Sequence, residues 1–191
     1  MNSEFIKNMT DTIARVERAV RAKFDALDGE QLNWRPHINL WSIGQCLEHV
    51  MKANGPYFEI FENTVNGTKR ATFWERLPLL PAFWGSLVLN SVNPETSRKT
   101  RAPKLFMPSR ETTSPDIVDS YCRQQRELAS ALEALAELDL DTHIITSPVA
   151  SFVTYSLRNA LAIIVAHEER HLLQAEKVLS LMNAARPSNA P

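Results

Sequence analysis

Two histidines stand four residues apart near the C-terminus, in the sequence His167-Glu168-Glu169-Arg170-His171. Four residues are about one turn of an α-helix, so both imidazoles would project from one face, one above the other. Each buried ring nitrogen needs a partner, and a divalent metal between the two rings would satisfy one nitrogen of each. The spacing therefore indicates metal binding, and the site needs a third ligand from elsewhere in the chain.

The two histidines lie within a long apolar pattern that has the 3.6-residue period of a helix. One face of this helix would carry Leu157, Leu161, Ile164, His167, Glu168, His171, Ala175 and Val178. Glu169 and Arg170 fall outside this stripe. We therefore expect both histidines to point toward the protein interior, and Glu169 and Arg170 to point toward solvent.

His49 is the candidate for the third ligand, because it is the one further histidine inside a predicted helix. His37 and His143 lie in predicted linkers and are expected at the surface. If the two ligand helices start at the same end of the bundle, His49 and His167 differ in height by roughly 9 Å, which helix tilt would have to absorb. Three histidines would leave coordination positions open, as in catalytic metal sites.

Two other metal chemistries compete with this interpretation. The same five residues match HExxH, the zinc-peptidase motif whose glutamate is the general base. The longer metzincin form needs Gly and His where this chain has Gln174 and Lys177, and HExxH arises by chance in charged helices, so we do not favour a peptidase. A haem held by two histidines would leave His49 unexplained, and the chain has no CxxCH motif.

Glu168 is the catalytic candidate, because the helical pattern places its carboxylate on the inward face beside the histidines. It could act as an acid or base, or support a metal ligand from outside the coordination shell. The competing interpretation is a carboxylate that forms a salt bridge with a lysine or arginine.

Composition excludes several classes of function. The chain has 191 residues, of which 44% are hydrophobic and 23% charged, and its net charge is −1. This balance argues against a nucleic-acid partner, and no stretch reaches the roughly 20 apolar residues that cross a membrane. The two cysteines, Cys46 and Cys122, and the lack of a signal-peptide pattern predict a cytoplasmic protein with reduced thiols.

Four amphipathic helices and no convincing strand are predicted, because apolar residues recur at three- and four-residue steps. The expected helices are about 3–27, 42–65, 114–138 and 154–183. The prediction is an all-α four-helix bundle, formed as one domain over residues 1–186 with a disordered tail at 187–191.

Capping residues set the expected helix starts. Ser42 and Gln45 form a capping box for the second helix, which should kink or break at Pro56. Ser114 should cap the third helix and Thr154 the fourth.

A long irregular insertion, residues 66–113, separates the second and third helices. Its prolines forbid a long helix, although residues 82–90 could form a short one. Its aromatic residues are Phe73, Trp74, Phe83, Trp84 and Phe106. These rings need burial, so three roles are open for the insertion. It could simply pack its rings on the bundle, cover the open end of the bundle near the metal, or pack against a second subunit in a homodimer.

Three blocks of this sequence resemble the DinB-like superfamily: Trp34-Arg35-Pro36, the run from Trp41 to His49, and the run from His167 to Gln174. The resemblance extends over the whole chain. It implies an up-down-down-up four-helix bundle that binds a divalent ion on three histidines, which by position are His49, His167 and His171. The ion is commonly zinc or nickel, with iron and manganese as further options.

The resemblance also limits the expected chemistry. Characterised relatives in the superfamily include metal-dependent S-transferases that use low-molecular-weight thiols such as bacillithiol or mycothiol, while many others have no assigned reaction. It implies a metal-dependent transferase or hydrolase acting on a small molecule. The alternative is a non-catalytic bundle that binds metal or a protein partner.

Overall fold

The structure, a computed structural model, describes residues 2–77, 79–93 and 103–185. In this part of the chain there are six α-helices and two short strands. In chain order they are α1 (Asn2–Phe24), α2 (Gly29–Asn33), α3 (Ile43–Val65), α4 (Leu80–Val92), α5 (Ile117–Glu133), β1 (Ile144–Thr146), β2 (Thr154–Ser156) and α6 (Leu157–Ala185). The predicted tail at 187–191 lies outside the described residues. None of the described helices combines the length and apolarity that crossing a bilayer requires.

The four long helices form a bundle in which α1 and α3 each contact both α5 and α6. The apolar faces that the period predicts are the faces that are buried. On α1 these residues are Ile6, Ile13, Val16, Val20 and Phe24. Burying an aliphatic or aromatic side chain of this size contributes about 1.5–3 kcal/mol, so the four faces together hold the bundle.

Side-chain pairs between the helices give their directions. The pairs between α1 and α6 are Arg15–Glu169 and Lys23–Glu176, and those between α1 and α5 are Arg21–Asp119 and Arg126–Glu17. In the first set the residue numbers rise together along both helices, so α1 is parallel to α6. In the second set the numbers on α5 fall as those on α1 rise, so α1 is antiparallel to α5. His49 and Asn54 on α3 meet His171 and Glu168 on α6, so α3 and α6 are antiparallel. The topology is up-down-down-up, as the resemblance implied.

The start of α3 follows the prediction. Ser42 accepts a hydrogen bond from the Gln45 N–H, and the Gln45 side chain accepts one from the Ser42 N–H, which completes the capping box. Of the kink or break expected at Pro56, the break does not occur, since α3 continues through this residue to Val65. Pro56 lies on the exposed side of the helix, where water can bond the backbone carbonyl that the proline leaves free.

The starts of the last two long helices were predicted wrongly. Helix α5 begins at Ile117, and its N-cap residue is Asp116 rather than Ser114. Thr154 belongs to β2, and Ser156 takes the capping role because its hydroxyl accepts a hydrogen bond from the Asn159 N–H at 3.2 Å. In both places the residue predicted as the N-cap belongs to a turn or a strand instead. The helix therefore begins two or three residues after the predicted start.

The expectation of no strand was also wrong. Strands β1 and β2 pair antiparallel, with Ile144 opposite Ser156 and Thr146 opposite Thr154. Each has only three residues, which is too short for an alternating pattern to show in the sequence. Helix α2 was also missed, because a helix of five residues is too short to show a helical period in the sequence. Asp28 and Gln31 form its capping box.

The insertion packs against α6 and against the β1–β2 strand pair. The short helix expected at 82–90 is present and extends over Leu80–Val92, where it packs against α6 and β2. Buried Glu75 pairs with Lys69 at 2.6 Å and accepts a hydrogen bond from the Thr146 hydroxyl at 2.7 Å. At the C-terminal end of α4, the Arg170 guanidinium donates to the carbonyl of Ser91 at 3.1 Å.

Candidate metal centre

The structure brings the three predicted histidines together. His49 comes from α3, and His167 and His171 come from successive turns of α6; their possible ligand atoms all lie within 4.8 Å of one another. The Nε2 atoms of His49 and His167 are 3.2 Å apart. The difference in height expected between His49 and His167 does not arise, because α3 and α6 start at opposite ends of the bundle.

A hydrogen bond to a backbone carbonyl of the insertion orients the His49 ring. Its Nδ1 lies 2.6 Å from the backbone carbonyl oxygen of Phe106, which can only accept, so Nδ1 carries the proton and donates. This leaves Nε2 without a proton and facing His167. Partners of this kind on the outer ring nitrogen fix the tautomer of metal-binding histidines and hold their orientation.

Trp41 encloses the cluster on one side. Its ring stacks on His171, with the ring centres 5.8 Å apart, and lies 4.7 Å from the ring centre of His49. The His49 and His171 side chains are buried, whereas His167 and Trp41 are half-buried. The cluster therefore approaches the surface beside His167 and Trp41.

Burial keeps the three histidines neutral near pH 7. It lowers the pKa of His167 to about 3, with further lowering from His49 and Arg170. Burial also lowers the pKa of His49, and it lowers the pKa of His171 well below its usual value. Neutral imidazole is the form that binds metal, so no proton has to leave when an ion binds at neutral pH.

These residues fit a divalent ion. Two nitrogens bound to one tetrahedral zinc at about 2.0–2.1 Å lie about 3.3 Å apart, close to the separation between His49 and His167. Nδ1 of His171 is buried and has no hydrogen-bond partner in the described part of the chain. A ring nitrogen left in this state is costly, and it fits a histidine whose environment is completed by a bound ion.

The other two histidines are outside the cluster, as expected. His37 is exposed, and its Nδ1 accepts a hydrogen bond from the Asn39 N–H at 3.2 Å. His143 is half-buried, and its Nδ1 donates to the Asp139 carbonyl at 2.7 Å. Both rings therefore serve local turns, and they provide control positions for metal-binding experiments.

Glu168 faces inward, as the helical pattern predicted, and is 1% exposed. Its carboxylate accepts hydrogen bonds from Asn54 at 2.6 Å, from Gln125 at 2.8 Å and from the Tyr121 hydroxyl. In the described part of the chain it makes no ion pair, and its partners are neutral donors rather than the lysine or arginine of the alternative interpretation. Burial raises the pKa of this carboxyl group, and the three hydrogen bonds oppose that rise.

Several residues of the site were not found from the sequence. Trp41 was noted only as the first residue of a block that resembles the superfamily, and the carbonyl of Phe106 comes from the predicted irregular insertion, where no pattern reveals it. Tyr121 is one of the residues that the period assigns to the apolar face of its helix. The one available signal was Asn54, a polar residue buried on the same helix as His49.

Cys46 is expected to remain outside the coordination shell, so Cys46→Ser should retain the metal. The thiol lies one turn before His49, is fully buried and does not belong to the histidine cluster. Burial raises the pKa of this thiol, which disfavours the thiolate that metals bind. Metal content by plasma emission and the spectrum of the Co²⁺-loaded protein measure this. A thiolate-to-cobalt charge-transfer band that disappears in Cys46→Ser would overturn the expectation.

Comparison with known proteins identifies the family. Searches of curated proteins and of solved structures returned no match. The sequence model of the DinB superfamily matches residues 12–175, which include α3, α5 and all three histidines. The match covers well over half of the chain and agrees with the helical fold and with a histidine cluster that could hold a metal ion. The chain belongs to the DinB superfamily.

Proposed function

We propose that this protein is a metal-dependent enzyme in which His49, His167 and His171 hold one divalent ion beside a small-molecule substrate. The observation that carries the proposal is the convergence of three neutral imidazoles from two helices. Three protein ligands leave further coordination positions open, as catalytic sites require. When bound, the ion would lower the pKa of a thiol or water and so supply a nucleophile near neutral pH.

The chain's own residues orient the site and limit access to it. The Phe106 carbonyl holds the His49 ring in one tautomer, and Trp41 covers His171. Solvent reaches the cluster beside half-buried Trp41 and His167, which suits a small molecule better than a folded protein. Imidazole ligands suit zinc, nickel and iron, so the donor set agrees with these three of the ions that the family resemblance implies, whereas manganese prefers oxygen ligands.

Thiol S-transfer or hydrolysis is the reaction class that we favour over peptide hydrolysis. A peptidase of the HExxH type needs its glutamate free to act as a base. Both oxygens of Glu168 are instead engaged by donors from α3 and α5. Support for S-transfer comes from the resemblance to thiol-dependent transferases, and the thiol would be a low-molecular-weight one.

A non-catalytic role is the second candidate, and the burial of the site favours it. His49 is 2% exposed and His171 is 7% exposed, so an ion at this place could serve to stabilise the bundle. Metal content cannot separate the two candidates, because both bind metal. Turnover separates them, because only an enzyme converts a substrate.

The test is an activity screen with a matched variant. Protein loaded with zinc or nickel would be incubated with a small thiol and an activated aryl chloride, and separately with chromogenic esters. The proposal expects turnover that is lost in His49→Ala, while the circular dichroism of that variant stays helical. Turnover that is equal in wild type and His49→Ala, or absent with every substrate while the metal binds, would favour the non-catalytic role.

Helix α4 is expected to be an accessory to the bundle that shapes access or subunit contact. Gly85 is the one residue of α4 that is fully buried, while Leu79, at its N-cap, and Phe83 are exposed. Replacing residues 79–102 with a Gly/Ser linker of equal length keeps Phe106 and the three histidines. The variant should remain helical and bind metal but lose turnover or dimerisation, measured by activity and by light scattering. Unfolding with loss of metal would show that α4 belongs to the core.

A further inference from the structure

Glu168 stands next to a metal-ligand candidate but makes no hydrogen bond to any histidine in the described part of the chain. Its three donors belong to two other helices of the bundle. Asn54 is on α3, and Tyr121 and Gln125 are one turn apart on α5. A single carboxylate on α6 therefore connects three helices of the bundle in its interior.

The carboxylate spans the same helix pair as the histidine cluster. Helix α3 carries both His49 and Asn54, and α6 carries both His167 and Glu168. The hydrogen bond between Asn54 and Glu168 is 2.6 Å, and the contact between His49 and His167 is 3.2 Å. Both contacts therefore depend on the same register of α6 against α3.

Stability alone does not account for this arrangement. A buried carboxylate without a cation is costly, and well-packed apolar residues often replace buried charged groups without loss of stability. Within the described residues the network also leaves Oε1 of Gln125 buried without a hydrogen-bond partner, while Nε2 of the same side chain donates to Glu168. The buried carboxylate and the buried Gln125 oxygen are both unfavourable for stability, and they lie together next to the candidate ligands.

We infer that Glu168 is a positioning residue for the three-histidine site: held by Asn54, Tyr121 and Gln125, it sets the register of α6 in which His167 and His171 meet His49. The inference rests on the proposed metal site and concerns geometry at that site. It assigns Glu168 no contact with substrate or metal.

Four variants separate positioning from general stability. Glu168→Gln can keep the network, because its amide oxygen still accepts from Asn54 and Gln125 and its amide nitrogen can donate to the Tyr121 hydroxyl. Glu168→Leu removes all three hydrogen bonds, and Tyr121→Phe removes one. The matched control is Tyr155→Phe, which removes an equally buried hydroxyl whose partner at 2.6 Å is Tyr57 on α3, away from the histidines.

The readouts are the Kd for Co²⁺ by titration and the visible d–d spectrum, which reports coordination geometry. Glu168→Leu should weaken Co²⁺ binding about 10-fold to 100-fold and change the spectrum, with a smaller effect of the same kind in Tyr121→Phe. Glu168→Gln should restore both readouts nearly to wild type. Tyr155→Phe should match wild type in both.

The outcomes that overturn the inference are distinct from those that overturn the metal site. Wild-type protein that binds no Co²⁺ removes the proposed metal site itself. Wild-type binding that is unchanged in Glu168→Leu and Tyr121→Phe leaves the site standing and refutes the positioning role. Equal weakening in Tyr121→Phe and Tyr155→Phe also refutes it, because a distant hydroxyl would then matter as much. If Glu168→Leu does not fold, the two tyrosine variants decide the question.

Discussion

Alanine in place of His167 is expected to weaken metal binding by about 100-fold or more, because it removes one of the three proposed protein ligands. Losing a group that merely supports a ligand already costs about 10-fold to 100-fold. His49→Ala and His171→Ala should behave in the same way, since the three rings form one cluster. Plasma emission on purified protein, combined with titration of the metal-free form, measures the effect.

The controls for this prediction are His37→Ala and His143→Ala. Both remove an imidazole that makes a local hydrogen bond and lies outside the cluster, so their metal content should equal that of wild type. Full metal occupancy in His49→Ala would refute the assignment of three histidines, because His49 is the one ligand that comes from α3.

The metal-free protein is expected to lose stability steeply as the pH falls below about 6.5. Burial lowers the pKa of His167 from 6.5 to about 3 in the folded state. Between these two values the unfolded chain binds more protons than the folded chain, so acid favours unfolding. At pH 4.5 this histidine alone should reduce the free energy of unfolding by roughly 2–3 kcal/mol relative to neutral pH. His49 and His171 have lowered pKa values too and act in the same direction.

Glu168 acts in the opposite direction, because its pKa is raised in the folded state and it gains a proton there first. Urea unfolding of the metal-free protein at several pH values between 7 and 4.5 tests the balance. His167→Gln keeps a polar side chain of related shape without a titrating ring, so its stability should depend less on pH. An equal pH dependence in wild type and His167→Gln would show that the buried histidine does not titrate as argued.

The fold was largely predictable, because long apolar stripes are visible in the sequence. The burial of Ile13, Val16 and Val20 on α1 and the capping box at Ser42 follow from local rules. Short elements did not follow, since three residues of β1 carry no readable period. The helix starts near Ser114 and Thr154 were missed because several residues there could serve as caps.

The histidine cluster was predictable for a different reason. His167 and His171 lie on one face of a helix, and His49 was the one remaining histidine in a predicted helix. Residue type and spacing were therefore enough to predict these three histidines as one site. The surroundings were not predictable. The partners of His49 and Glu168 are a backbone carbonyl in an irregular segment and side chains on other helices, and only tertiary structure brings these groups together.

X-ray absorption at the zinc edge of the reconstituted protein tests the three-histidine site most directly. The site predicts one zinc per chain, with three imidazole nitrogens at about 2.0–2.1 Å and no sulfur. Removing His49 should reduce the imidazole signal. A sulfur ligand at about 2.3 Å, or a zinc with an imidazole signal that is the same in wild type and His49→Ala, would contradict the three-histidine site.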